Sequence, residues 1–368
     1  MTAPSNPWSL SLALAEQAVG LSDPNPRVGC VIVSADGATL LGQGHTQAAG
    51  GPHAEVMALR DAAARGHDVR GATVVVTLEP CAHHGRTPPC CDALVAAGVG
   101  RVEIACGDPN PLVNGQGSAR LAAAGIALGS APPEVARRAR ELNIGFFSRM
   151  ERGRPWLRMK ITASLDGITA LPDGASKWIT GAEARADGHA FRRRAGAVLT
   201  GIGTVLADDP ALDVRLVPTA RQPLRCVVDA RLATPPTARL FQTASQVVIY
   251  TASDDAARRA ALEARGAQVV PVAAGADGRL ALEGVLADLA ARQVNELHVE
   301  AGARLNGALL QTGRVDELLL YLAPDLLGAG RGMAAFGPLA SLDQRLRFAF
   351  ESAERVGADL RVLARTVV

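Results

Sequence analysis

Residues 51–59 read GPHAEVMAL, and residues 77–94 read TLEPCAHHGRTPPCCDAL. His53 and Glu55 lie in the first stretch; Cys81 follows 28 positions after His53, and Cys90 nine further on. One imidazole and two thiolates suit zinc and leave a fourth position for water, whose pKa zinc lowers toward neutrality. Glu55, two residues from the histidine, is placed to move protons without being a ligand. The text around these residues decides the fold. Val28–Val33 and Thr73–Leu78 are apolar runs bounded by turn signals, and Val102–Cys106 is a third candidate strand. Helical patterns at about 53–65, 90–97 and 118–124 fall between or after them, so the sequence predicts an α/β sheet covered by helices. Thr87 is the expected cap of the second helix, with Pro88 and Pro89 in its first turn. Cys90 then stands at a helix start, where the dipole favours thiolate. His53, after Pro52, starts the preceding helix. Both ligand sets are thus expected at helix starts beside strand ends.

Other readings of these residues stay open at this point. His83 and His84 are alternative ligands, and a structural zinc would want four protein donors. Cys30, Cys106 and Cys226 read as small buried hydrophobes, and Cys91 is expected to point away from its neighbour. His-x-Glu ahead of a Pro-Cys pair matches the signature of zinc deaminases acting on bases. Here eight residues separate the cysteines instead of two.

The chain has 368 residues, a length that suggests two domains. Its 38 Lys and Arg against 36 Asp and Glu give no broad pull toward nucleic acid or anionic lipid. Aromatics at 3% are too few for rows of base-stacking rings. The sequence offers no membrane-spanning apolar run, and no Lys or Arg precedes Arg27, so neither a span nor a secretory signal is expected. Six cysteines in this length make no disulfide framework; a reducing cytoplasm is the expectation.

The polar stretch SRMERGRP at 148–155 reads as the domain connector. Beyond it, strands are expected at Trp156–Ile161, Ala197–Thr200, Cys226–Asp229, Val247–Tyr250, Leu297–Glu300 and Leu318–Ala323. Helices are expected near 182–194, 254–265, 282–292 and 303–311, and 347–350 with 360–363 form a closing hairpin. The pattern predicts a mostly parallel sheet with an antiparallel end. Gly201 and Gly203 follow a strand, but no third glycine completes a Rossmann fingerprint. Gly302–Gly307 opens a helix after a strand and can present backbone donors to phosphate. Arg192, Arg193 and Arg194 read more readily as a solvated face than as a site, and Arg215 could grip a phosphate.

Taken together, DPNPRVGCVIV, GPHAEVMALR, TLEPCAHHGRTPPC, CGDPNP, KITASLDGITA, SKWIT and TVLADDPAL span nearly the whole chain. The sequence resembles the riboflavin-biosynthesis bifunctional deaminase–reductase family in its fused bacterial form. That resemblance implies a cytidine-deaminase-like three-layer domain over 1–147 and a dihydrofolate-reductase-like domain over 155–368. It implies His53, Cys81 and Cys90 as zinc ligands, Glu55 as proton shuttle, and Asn25 and Arg86 as contacts to the deaminase substrate. For NADPH it implies Thr162, Trp178, Thr204, Asp208 and the run Gly302, Ala303, Arg304, Leu305, Asn306, Gly307 and Ala308. For the ribosyl phosphate substrate it implies Ser176, Arg192, Leu212, Arg215 and Glu300. Lys160 and Glu300 are both candidates for protonating or orienting the sugar. The family tends to carry a histidine where Thr46 stands, with His45 one place earlier here, and often a serine where Ala230 stands.

The implied activity is hydrolytic deamination of 2,5-diamino-6-(ribosylamino)pyrimidin-4-one 5'-phosphate. NADPH-dependent reduction of the ribosyl group to ribityl follows, giving 5-amino-6-(5-phosphoribitylamino)uracil. The implied partners are small molecules and further copies of the chain, with no nucleic acid and no membrane. A nucleic-acid base deaminase and a zinc-stabilised nucleotide-binding scaffold are the rival classes. The first needs a basic groove; the second makes Glu55 dispensable.

Overall fold

The structure, a computed structural model, describes residues 6–83, 88–111, 113–243, 245–275 and 277–367. The chain divides into two compact units, one ending at Gly153 and the other beginning at Arg154.

In the first unit the strands are β1 (Gly29–Val33), β2 (Leu40–His45), β3 (Thr73–Val76), β4 (Arg101–Ile104) and β5 (Ala127–Ser130). The helices are α1 (Pro7–Gln17), α2 (Ala54–Ala64), α3 (Cys90–Ala97), α4 (Gln116–Ala123), α5 (Pro133–Leu142) and α6 (Ile144–Arg152). Among the described residues they build one sheet in the order β2-β1-β3-β4-β5. β1 is antiparallel to both neighbours, while β3, β4 and β5 run parallel. Every residue of β1 is buried, as expected of a central strand covered on both faces. Leu14 of α1 packs on Val31 and Val33 of one face. Ala54 and Ala58 of α2, with Cys91 and Leu94 of α3, pack on Cys30 and Ile32 of the other. The register Gly29↔His45 and Cys30↔Val76 brings the ends of β2 and β3 level with the start of β1. The segments leading to α2 and α3 therefore leave one edge of the sheet, which is what lets residues 28 apart in sequence meet.

In the second unit the elements are β6 (Trp156–Ser164), β7 (Ile168–Ala170), α7 (Ala182–Arg194), β8 (Ala197–Gly201), α8 (Ile202–Asp208), β9 (Leu224–Val228) and β10 (Val247–Thr251). They continue with α9 (Ala256–Glu263), β11 (Ala267–Pro271), α10 (Leu282–Ala291), β12 (Glu296–Val299), α11 (Ala303–Gln311), β13 (Glu317–Ala323), β14 (Arg331–Gly332), β15 (Phe348–Val356) and β16 (Asp359–Thr366). Among the described residues the main sheet runs β11-β10-β9-β8-β12-β6-β13-β16-β15. All pairs from β11 to β13 are parallel; β13, β16 and β15 pair antiparallel. This is the mostly parallel sheet with an antiparallel end that the alternation of segments predicts. Its centre is tied by charge: Arg158 of β6 bonds Glu296 of β12 at 2.8 Å and also Glu317 of β13. Burying that group of ions is worthwhile only because each carboxylate is matched.

Several elements lie outside the sequence reading. β2 reads LLGQGH, with glycines where a strand usually carries branched residues. The close approach of α2 explains them: a Cβ on Gly42 would stand 2.3 Å from the Ala58 carbonyl oxygen, and one on Gly44 2.6 Å from the Ala58 nitrogen. Residues 148–152, read as connector, are the end of α6, which stops at Gly153 in the left-handed region, φ 66°. α6 is amphipathic, with Phe146 and Phe147 buried while Glu151 and Arg152 face solvent, and the two units divide directly after it, between Gly153 and Arg154, within the stretch where the sequence places the boundary.

Candidate functional site

His53 is the N-cap of α2 and Cys90 the first residue of α3. Cys81 lies on the segment that follows β3. His53 Nδ1 stands 3.2 Å from Cys90 Sγ and 3.6 Å from Cys81 Sγ, and the three donor atoms lie within 4.8 Å of one another. A tetrahedral zinc with ordinary bond lengths would hold nitrogen and sulfur about 3.6 Å apart and the two sulfurs about 3.8 Å apart. The donor set and its spacing fit that ion. Among the described residues no fourth protein donor joins the group. His83 stands outside the group; His84 and Arg86 lie outside the described residues.

The expected capping needs correction. α3 begins at Cys90 with Pro89 as its N-cap and no side-chain cap bond, so the prolines precede the first turn. Thr87 lies outside the described residues. The expectation for the Cys90 thiolate also changes. The Cys90 backbone N–H donates to Cys81 Sγ at 3.3 Å, so the first amide of the helix serves the other sulfur. Without metal, the Cys90 thiol's hydrogen bond pulls Cys81 down to about 4, with burial opposing and His53 assisting. Cys90 is pushed up because its proton serves that bond.

Glu55 occupies the first turn of α2 and is 4% exposed. Burial drives its pKa up to about 7, the negative charge of Cys81 adds to the rise, and His53 partly offsets it. A carboxyl held there can both take and give a proton near neutral pH. Glu79 is a buried neighbour of the group that sequence reading missed. Its carboxylate accepts from the N–H groups of Gly115 at 3.0 Å and Ser118 at 2.9 Å, and from the Ser118 hydroxyl at 3.0 Å. It thereby anchors the start of α4 beside Pro80 and Cys81. An acid wedged between Leu78 and Pro80, directly before a ligand, is the signal that could have revealed it. Asn25 is half-buried in a turn where its N–H donates to Ser22 O at 2.9 Å. Thr46 turns inward and accepts from the Val28 N–H at 3.3 Å, whereas His45 is half-buried at the end of β2. Cys30 and Cys226 are fully buried, and Cys91 points into the core.

In the second unit, Glu300 follows β12 and gathers three cations or donors. Arg192 of α7 binds it through Nε and, at 2.9 Å, through Nη2; Lys160 Nζ lies at 3.8 Å, and His298 Nε2 at 3.3 Å. Burial alone would raise the Glu300 pKa, but Arg192 and Lys160 override it and hold the carboxyl well below its usual range. Arg192 also donates through Nη1 to Asp213 O at 2.8 Å, and Arg215 pairs with the Asp213 carboxylate. Arg194 reaches Glu296 at 2.7 Å. The arginine run is therefore not a solvated face: two of its three members turn onto the sheet, because α7 crosses the buried acids of β12. Leu212 is buried in the left-handed region, φ 54°.

The turns β8–α8 and β12–α11 are side by side because β8 and β12 are adjacent and parallel. A Cβ on Gly302 would lie 3.8 Å from Thr204 Oγ1, and one on Gly201 3.3 Å from Leu305 Cδ2. Gly302, exposed and at the start of α11, leaves a cradle between two strand ends where a phosphate can approach backbone donors. Ala303 and Ala308 are half-buried, Arg304 is exposed, and Asp208 ends α8. Thr162 lies on β6 opposite Tyr321, while half-buried Ser176 and 70%-exposed Trp178 belong to the loop after β7, where Arg185 lies over the indole at 4.5 Å. Asn306 and Gly307 face elsewhere. Asn306 Nδ2 donates to Met333 O at 2.9 Å, and a Cβ on Gly307 would meet Ala335 O at 1.9 Å. Gly307→Ala is accordingly expected to destabilise the second unit by about 1–3 kcal/mol through overpacking. That outweighs the gain in helix propensity of up to about 1 kcal/mol, and the melting temperature reads the sign.

Comparison with known proteins is decisive at this point. Residues 4–106 match the cytidine and deoxycytidylate deaminase zinc-binding region, and residues 155–362 match the RibD C-terminal domain. The riboflavin biosynthesis protein RibD of Escherichia coli is 44% identical over 363 residues, 95% of this chain and 96% of that protein. The chain belongs to the RibD family. RibD of Aquifex aeolicus is 39% identical over 96% of each chain. The solved structure of Acinetobacter baumannii RibD superposes with a TM-score of 0.88 at 40% identity, covering 98% of both chains. The Thermotoga maritima deaminase/5-amino-6-(5-phosphoribosylamino)uracil reductase does so at 0.85 with 30% identity and the same coverage. This chain is thus a RibD-type deaminase and reductase of riboflavin biosynthesis, with a zinc-binding deaminase domain and a RibD-type reductase domain.

Proposed function

We propose that His53, Cys81 and Cys90 hold the zinc ion and that Glu55 moves the protons of the deamination. The observation that carries this is the group of three donors with a buried carboxyl, pushed up to about 7, beside it. When bound, zinc supplies Lewis acidity and lowers the pKa of a water in the fourth position. Glu55 accepts a proton from the attacking water and passes it to the pyrimidine ring nitrogen; it then takes the proton of the hydroxyl formed at the attacked carbon and gives it to the departing amine. Burial of Glu55 keeps its proton from bulk solvent. The substrate is the diamino-ribosylaminopyrimidinone phosphate, with Asn25 and Arg86 as its further contacts.

In the domain proposed to span 155–368, NADPH lies along the strand ends at Thr162, Trp178, Thr204, Asp208 and the turn beginning at Gly302. The cofactor supplies hydride when bound. The protein aligns the sugar: Lys160, midway along β6, meets Glu300, just past the end of β12, where they can hold or pass a proton at the sugar ring. Arg192 and Arg215 anchor the 5'-phosphate, with Ser176 and Leu212 lining it. The deaminase domain is proposed to span 1–147. A cytoplasmic setting is supported by six cysteines that are all free. Self-association is supported by the edge strand β15, where Phe350 is 80% exposed.

A coupled assay with the diamino substrate tests the reading. Ammonia release without NADPH, followed by NADPH oxidation when it is added, is the expected order. In Cys81→Ser, bound zinc and ammonia release should both be lost while reduction of separately supplied deaminated intermediate survives. A zinc-loaded Cys81→Ser enzyme with full deamination would overturn the ligand assignment.

A further inference from the structure

His189 lies on α7, one turn before Arg192, and is only 5% exposed. The Arg215 backbone N–H donates to its Nδ1 at 3.1 Å. A ring nitrogen that accepts carries no proton, so the neutral imidazole has its hydrogen on Nε2. Neutrality is favoured here: burial, followed by the charges of Arg192 and Arg215, lowers the His189 pKa to about 4. Nε2 lies 3.5 Å from Arg192 Nη1. Both groups are N–H donors and cannot bond each other, so one acceptor placed between them can take a hydrogen bond from each. Arg192 Nη1 already gives one hydrogen to Asp213 O at 2.8 Å, and its second remains for that acceptor. Arg215, whose side chain is half exposed beside Asp213, brings a further guanidinium to the same corner.

We infer that His189 is a donor to the phosphate of the reductase substrate, through Nε2–H alongside Arg192 and Arg215. The inference rests on the proposed placement of the 5'-phosphate at those arginines. It makes His189 a specificity-determining residue: the imidazole favours a phosphomonoester, with its several acceptor oxygens, over a free 5'-hydroxyl. His189 has a second task, holding the Arg215 backbone through Nδ1, and the two tasks are separable by amide size. Asn at 189 places an acceptor near the Nδ1 position but no donor near Nε2; Gln places its amide nitrogen near Nε2 and gives up the Nδ1 contact.

The measurement is the ratio of kcat/KM for NADPH-dependent reduction of the ribosylaminouracil 5'-phosphate and of its dephosphorylated counterpart. NADPH Kd and melting temperature serve as folding checks. His189→Asn should lower the ratio roughly tenfold, mainly through KM for the phosphate ester, the size expected for one lost charge-assisted hydrogen bond. His189→Gln should stay within about threefold of wild type on the same scale. The reverse pattern, or no change in Asn, would mean that His189 only props the Arg215 backbone, and would overturn the inference. Arg215→Ala separates this from the underlying reading. If it too leaves the ratio intact, the phosphate does not bind there. If it collapses the ratio while His189→Asn does not, the inference alone fails.

Discussion

Glu55→Gln should lower the rate of ammonia release by about 10²- to 10⁴-fold, the range that a positioned proton-transfer group contributes. Zinc content should stay at the wild-type level, because the carboxyl is not one of the three donors. Gln keeps the size of the side chain and removes only its ability to gain and lose a proton. The site that accommodates a neutral carboxyl also accommodates a neutral amide: Glu55 is 4% exposed and already raised to about 7 by burial. Fold and reductase rate should therefore survive, and metal analysis beside an ammonia assay reads both halves. Full deamination in a zinc-loaded Glu55→Gln enzyme would remove Glu55 from the reaction.

The second large effect is expected at Glu300. Glu300→Ala leaves Arg192 and Lys160 facing each other without their shared counter-ion, and removes the carboxylate 3.3 Å from His298 Nε2. Breaking a buried pair by removing one partner costs about 3–5 kcal/mol, visible as a lowered melting transition of the second unit. Reduction should fall by at least about 100-fold, since losing the carboxylate frees Arg192 to move and misplaces the bound sugar. Ammonia release should change little, the proposed zinc ligands lying in the other unit. The folded-state pKa of Glu300 is depressed, so its contribution to stability is full above the ordinary carboxylate range and is lost only as pH falls through the depressed value. The wild type should therefore hold its reductase unit folded into acid better than Glu300→Gln does. Equal acid midpoints for the two, together with unchanged reduction in Glu300→Ala, would show that the cluster contributes neither stability nor catalysis.

The legible and the hidden parts of this chain divide along physical lines. β1 and β10 announce themselves because strands buried on both faces are near-continuously apolar. β2 does not, because the backbone of α2 presses against Gly42 and Gly44. The group His53, Cys81 and Cys90 that the structure brings together was readable for a related reason: imidazole and thiolate beside a carboxyl are few in kind and costly to bury unless something binds them. The arginine run of α7 was not, since its meaning depends on whether the helix face meets solvent or the acids of β12.

By itself the sequence determined the chemistry available: a His-Cys-Cys set with a carboxyl two residues from the histidine, two α/β units, and the absence of a Rossmann fingerprint. These are matters of residue type and local spacing, which a linear text carries. Only the tertiary structure decided which atom of His53 faces the sulfurs, which sulfur receives the first amide of α3, and that Glu79, His189, Asp213 and His298 lie beside the residues proposed for the sites. Those outcomes depend on side chains brought together across the sheet register and on the burial that follows. Proximity and loss of solvent, not residue identity, set which groups share a proton and which donors converge on one acceptor.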